Sequence, residues 1–463
     1  MLSTKITVPM QTLSGDEVVA CRGRRPRWPP MPGISHLGST LLGSTLLGLT
    51  LGAGAHAQAP VGGDVWVNSH RPGNQVHADV AVRAAGDFLV VWQSRDQDGD
   101  CDGIFGRRVD ARGLPIGGEV QLNVYTTSCQ TWPSAETLAD GRFAVAWQSH
   151  GQDGDGDGIF GGVFDHDLSP LSGEVQVNTH TTGAQQLPSV AALADGGFVV
   201  SWQSEGQDGD SKGIFGRRFD HQGIPLASEF RANDVSAGTQ QDPSVAARPG
   251  GGFAIVWSSG PDPWNTNSIE GALFGATGSV ARRFATGFIN YDGEPQELPD
   301  VAVAQDGTFE VVWRDQWYLA GPGSSAGQRF DADGQPLTDA LRTIPYFAYT
   351  SPPKASHGEA GEFVVVWANE GRYGADGRVF DGDLQGQSFF DISPYWVSTY
   401  TQGPEVAHRP GTGDFVVAWA RTSPGDVDGY DVYAKIFGGT IFRDGFESGN
   451  LGAWSLARGG DGP

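Results

Sequence analysis

Apolar and polar positions along this chain repeat with a period of about 55 residues. Seven apolar runs, FLVVWQS, FAVAWQS, FVVSWQS, FAIVWSS, FEVVWRD, FVVVWAN and FVVAWAR, carry Trp92, Trp147, Trp202, Trp257, Trp313, Trp367 and Trp419. Each run is β-branched and aromatic, has the length of a strand, and follows a turn such as Ala194-Asp195-Gly196-Gly197. The first three repeats add three more strand-like pieces. An Ala/Val segment precedes the tryptophan run, as in Pro188-Ser189-Val190-Ala191-Ala192. GIFGRRVD, GIFGGVFD or GIFGRRFD follows it, and then EVQLN, EVQVN or EFRAN. We label the four strands A to D in chain order. Four strands at this period are the signature of a propeller blade.

The ends of the array predict how it closes. Asp64-Val65-Trp66-Val67-Asn68 matches a D strand yet precedes the first A strand, and the seventh repeat stops after its C strand. The expected fold is therefore all-β: a seven-bladed β-propeller of four-stranded blades, its ring closed by an N-terminal strand that completes the last blade. Closure removes exposed sheet edges. A linear array of β-sandwiches is the alternative, but it gives no reason for a spare strand at one end. The seven tryptophans are expected to be packing residues, as are Phe105, Phe160 and Phe215 of the GIFG words.

Composition agrees with many short strands. Only 38% of residues are hydrophobic, while Gly accounts for 69 of 463. The formal charge of −24 opposes phosphate backbones and argues against a nucleic-acid partner. Residues 1–57 differ from the rest. Arg22, Arg24, Arg25 and Arg27 form a basic lead, Leu41 to Leu51 is apolar, and Ala55-His56-Ala57 has the small-x-small pattern of a cleavage site. We read 1–57 as a signal peptide with a long basic lead, 58–440 as the propeller and 441–463 as a C-terminal tail. The apolar stretch is too short for a comfortable membrane span, so no transmembrane segment is expected in the mature chain. A secreted or cell-surface bacterial protein, monomeric, follows from this reading.

Three features carry candidate chemistry. The B–C turns of the first two repeats contain Asp98-x-Asp100-x-Asp102-Gly103 and Asp153-x-Asp155-x-Asp157-Gly158. This alternation of carboxylates suits calcium. A third copy has Lys212 in the last ligand position, and a solvated Asp/Gly turn without metal is the alternative. Cys101 and Cys129 each replace a small or polar residue on loops expected at the same face, which reads as one disulfide, with two free thiols as the alternative. Gln75, Gln130, Gln185, Gln240 and Gln296 recur before the A strands, either as a ring of amides recognising hydroxyls or as caps on backbone groups.

The later repeats depart from the pattern with aromatic residues. Trp264, Trp317, Tyr318, Tyr373, Tyr395 and Trp396 are the candidate ligand-binding residues on the B–C/D–A face. The A strands read as mostly Ala, Val and Thr, so a narrow channel poor in acid/base groups is expected. His357, His408 and Glu405 are the candidates for a catalytic site there. No Ser/His/Asp spacing, HExxH or Gly-rich phosphate loop is present.

The run VNTHTTGAQQLPSVAALADGGFVVSWQSEGQDGDSKGIFGRRFD resembles repeats of large secreted or surface proteins of bacteria, of the RTX-like or adhesin-like kind. The resemblance covers residues 64–233, fades through 234–440, implies an extracellular propeller, and brings no catalytic residues with it. The tail IFRDGFESGNLGAWS resembles a short C-terminal motif of exported proteobacterial proteins. Three readings follow. The first is a non-catalytic binding or adhesion propeller, calcium-dependent if its Asp turns hold metal, recognising saccharide or protein at the cell exterior. The second is an extracellular carbohydrate-active hydrolase or lyase. The third is a structural surface module with no small ligand.

Overall fold

The computed structural model describes residues 59–171, 173–261, 268–287, 295–315, 324–342, 351–358, 361–369, 374–380, 386–393, 401–422 and 429–438. The leader and tail read from the sequence therefore lie outside the described residues. Among those described there is no helix, and no helix long and apolar enough to cross a membrane.

The architecture is all-β and propeller-like, built from four-stranded antiparallel blades. In repeat 1 the strands Gln75–Val82, Phe88–Arg95, Asp102–Val109 and Pro115–Gln121 pair in the order A, B, C, D. Repeat 2 follows with Gln130–Thr137, Phe143–His150, Asp157–Phe164 and Val175–Gln176. Hydrogen bonding does not divide the strands into seven separate sheets. Repeats 3 and 4 share one eight-stranded sheet, because Lys212 of one forms a parallel pair with Thr239 of the next. Repeats 5 and 6 each form a four-stranded sheet. The A strand of repeat 6 is only Lys354–His357, and it follows Pro352 and Pro353, which have no N–H to offer a ladder. In repeat 7, Tyr430–Gly438 carries both Ala59–Pro60 and Val65–Trp66 on its outer side.

The B strands are apolar almost throughout because both of their faces are covered; Phe88–Ser94 is buried at every position. Buried apolar side chains form seven clusters, each with one of the seven tryptophans, and each drawing on neighbouring repeats. One cluster joins Val67, Val80 and Trp92 to Val416, Ala418 and Val432, at opposite ends of the chain. The tryptophans are 2% exposed or less, and six of their indole N–H groups have no hydrogen-bond partner. These rings act through bulk and packing area.

Polar residues of the repeat bind one sheet to the next. Asn123 accepts from the Ile104 N–H and donates to Gln130 Oε1, and Gln130 donates to the Thr127 carbonyl. Asn178 with Gln185, and Asn233 with Gln240, repeat the arrangement. Asn68 does the same with Gln75 and accepts from the Val432 N–H. The recurrent glutamines are thus buried caps on backbone groups, the second of their two readings. Glu119, Glu174 and Glu229 reach from the D strand to backbone N–H groups of the preceding D–A link, at Ser69 and His70, Val124, and Thr179 and His180.

Candidate active site in the central cavity

The B–C turns and D–A links meet on one face, as the cysteines require. Cys101 and Cys129 form a disulfide with Cα atoms 5.0 Å apart, closing a separation of 28 residues. The acidic turns lean on the same links. Asp100 Oδ2 accepts from the Ser128 N–H at 2.9 Å, Asp155 Oδ2 from Gly183 at 3.1 Å and Asp210 Oδ2 from Gly238 at 2.8 Å. Asp98 and Asp153 accept from the N–H two residues on and from Asn123 or Asn178. Asp102 pairs with Arg95 at 3.4 Å, and Asp157 with His150 at 2.8 Å. The three carboxylates of each turn thus face different partners. The third copy keeps the first two contacts with Lys212 in the last place. Among the described residues, the only trio of metal-ligating side chains brought together is Cys101, Asp102 and Cys129, whose sulfurs are already joined.

Trp264, Trp317, Tyr318, Tyr373, Tyr395 and Trp396 all lie outside the described residues. The expected histidine site is not assembled. His357 Nε2 lies 2.6 Å from Glu310 Oε2, both side chains almost fully buried, and Arg329 Nε lies 3.1 Å from the other Glu310 oxygen. His408 Nδ1 meets Ser356 Oγ at 2.9 Å, and burial beside His357 lowers its pKa to about 3. Glu405 instead faces Lys354. The reason is strand alternation: residues 405 and 408 differ by an odd number, so their side chains leave opposite faces of the A strand.

The channel is neither narrow nor poor in acid/base groups, which corrects the sequence expectation. The A strands line a cavity of about 860 Å³. One register position, paired in every repeat with the residue before the tryptophan, forms a belt around it: Asp79, Ser134, Ser189, Ser244, Asp300, Lys354 and Glu405. Most belt members tie their strand to the next. Asp79 Oδ2 accepts from the Ala135 N–H, Ser134 Oγ from Val190, Ser189 Oγ from Val245 and Asp300 Oδ2 from Ala355. Serines occupy repeats 2 to 4, whereas the charges gather in repeats 5, 6, 7 and 1.

Within that group Lys354 Nζ lies 3.0 Å from Glu405 Oε1 and 4.0 Å from Asp300 Oδ1, so those two oxygens are at most about 7 Å apart. Lys354, Glu405 and Asp300 keep 32%, 25% and 14% of their side-chain surface exposed because they face the cavity. Their setting deep in the molecule still raises the Glu405 pKa to about 8. Burial is the main cause, with the Asp79 and Asp300 charges adding to it against the pull of Lys354. Lys354 is held protonated: burial opposes its charge, but Glu405 and Asp300 outweigh that. Burial raises Asp79 as well. One layer further along, burial and the Asp79 charge bring Glu136 to about 7.

Beside the belt each of five A strands has a bulge. Its residue, His77, Trp132, Leu187, Asp242 or Leu298, has φ between 52° and 57°. Such a backbone costs a side-chain-bearing residue roughly 1–3 kcal/mol and persists only where its surroundings hold it. In four of the five the preceding repeat holds it. Gln93, Gln148 and Gln203 accept from the N–H of Trp132, Leu187 and Asp242, and Ser258 accepts from Leu298. This gives the glutamine of the WQS word its structural role. All five bulge side chains line the cavity.

No family model matches the chain, and no curated protein matches it. Solved structures share its fold. A protein of unknown function from Dyadobacter fermentans is 9% identical with a TM-score of 0.53, over 83% of this chain and 99% of that one. An ulvan lyase of polysaccharide lyase family PL25, bound to -[GlcA(1-4)Rha3S]-, is 10% identical with a TM-score of 0.53, over 82% and 96%. These likenesses establish a propeller-type fold and carry no residue across.

Proposed function

We propose that the central cavity hydrolyses a neutral saccharide, with Glu405 as general acid and Asp300 as the opposing carboxylate. The carrying observation is the Asp300–Lys354–Glu405 cluster. Two carboxyl groups there share one lysine, and one of them has a strongly raised pKa. Carboxyl groups tuned apart in this way are what glycosidic bond cleavage needs. Glu405 gives its proton to the glycosidic oxygen as the C–O bond breaks. Asp300 takes a proton from the water whose oxygen forms the new bond at the sugar carbon. Lys354 then pairs the Glu405 carboxylate. Direct attack by that water inverts the sugar carbon, a course that needs carboxyl groups about 6.5 Å or more apart, and the upper bound of about 7 Å leaves room for it.

A fold shared with a lyase that handles an anionic polymer supports a saccharide-related role. Electrostatics favours a neutral chain over a polyanion, because the belt ammonium is already paired by Glu405 and Asp300 in a protein of net charge −24. The test is reducing-sugar release from neutral oligosaccharides beside a sulfated uronate polymer. Glu405→Gln is expected to lower turnover by about 10²–10⁴-fold while binding persists. Binding of a neutral oligosaccharide with no turnover by the native protein would return the chain to the pure binding or adhesion reading. Cleavage of the polyanion alone would favour elimination.

We also propose that the blades form one seven-membered ring outside the cell. The pairing of Val65–Trp66 with Tyr430–Gly438, the core shared by first and last repeats, and the disulfide support this. Calcium in the turns at Asp98–Asp102 and Asp153–Asp157 is a separate proposal. It fails if chelator-treated protein melts identically with and without added Ca²⁺.

A further inference from the structure

We infer that the bulge residues form a sugar-reading rim, in which Trp132 and His77 stack against the apolar face of one sugar ring and Asp242 accepts from hydroxyls across the opening. This rests on the saccharide reading of the cavity and names the subsite beyond the cleaving carboxyls. Trp132 is 43% exposed, an unusual state for the largest side chain in a protein whose seven repeat tryptophans are sealed. It lines the cavity, and the His77 ring lies 3.7 Å from it, centroid to centroid, tilted by 49°. That contact fixes the indole without covering it. Burial lowers the His77 pKa to about 4, so the ring is neutral near pH 7 and adds apolar surface instead of charge.

Two observations separate this rim from ordinary loop packing. Its residues take positive φ although none is glycine, so the chain keeps side chains at positions where glycine would be relaxed. At Trp132, Leu187, Asp242 and Leu298 the backbone N–H is held by a side chain of the preceding repeat, so the bulge is set there without relying on its own side chain. Asp242 accepts from Ser258 Oγ at 3.4 Å. Leu187 and Leu298 supply apolar wall between the polar points.

The experiment measures binding and turnover of xylo-, arabino-, galacto- and gluco-oligosaccharides by native protein, Trp132→Ala, Trp132→Phe and Asp242→Asn. Trp132→Ala is expected to raise KM and Kd by about tenfold or more, with a much smaller change in kcat, and Trp132→Phe to recover most of the loss. Asp242→Asn is expected to change the ranking among the sugars more than the best affinity. Thermal melting checks that each variant is folded. If native protein binds a sugar and Trp132→Ala binds it equally well, the rim inference falls while the cavity reading stands. If native protein neither binds nor cleaves any of the four series, both fall together.

Discussion

Repeats 1 to 3 and repeats 5 to 7 put their polar residues to different uses. In the first group nearly every recurrent polar side chain holds backbone. Asn123 and Gln130 cap a D–A link, Glu174 clips a neighbouring link, Asp155 ties two loops, and Ser134 and Ser189 bridge adjacent A strands. In the second group the belt carries Asp300, Lys354 and Glu405, and the B strand of repeat 5 buries Glu310 between Arg329 and His357 where its siblings are apolar. A regular repeat is thus the mark of scaffold. The chemistry collects where regularity is lost.

The sharpest test of that division is at the tryptophans. Trp202→Ala should cost about 3–5 kcal/mol, read as a lower denaturation midpoint, because a fully buried ring leaves a cavity between blades. Any sugar turnover measured well below that midpoint should survive. Next, Cys101→Ser should cost about 3 kcal/mol by releasing a loop of 28 residues, again sparing turnover. Glu174→Ala should cost about 1 kcal/mol or less, since water can replace the carboxylate at the exposed Val124 N–H. Loss of turnover in any of the three variants, under conditions where it remains folded, would break the division.

The last test is in pH. Glu405 has a folded pKa of about 8, above its unfolded value, so the folded state holds an extra proton between them. Its contribution is complete below the unfolded pKa and fades as pH rises through about 8. His408 and His77 act in the opposite sense, with folded values of about 3 and 4, and weaken the fold only as pH falls below the usual histidine range. Between about pH 6.5 and 8 the native protein should therefore lose melting temperature, and Glu405→Gln should reduce that slope. An unchanged slope would mean that Glu405 is ionised throughout.

Period, strand assignment, tryptophan burial and the cysteine pair were legible in the chain because each follows from local pattern and spacing. The belt was not. Asp79, Asp300 and Lys354 stand thirteen residues before their tryptophans, but Glu405 stands fourteen before Trp419, so alignment by spacing separates it from its equivalents. The bulges were hidden too, since an inserted residue at positive φ leaves no glycine to mark it. Pro133, Pro188, Pro243 and Pro299, one after each of four bulge residues, were the available sign. Glu310 shows as a carboxylate within an apolar run, but its two partners come from other strands.

The pairing of Val65–Trp66 with Tyr430–Gly438 also sets an order of events in folding. Asn68 finds Asp431 and Val432 across 363 and 364 residues of chain, so that contact cannot form until the seventh repeat exists. Until then Val80, Val90 and Trp92 lack the apolar surface of Val416, Ala418 and Val432 that covers them in the finished molecule. Local hairpins can form early, but joining the two ends carries the longest loop closure in the protein. A nascent chain would wait with one sticky face open, and its vulnerability to aggregation would end only when its last strands arrive.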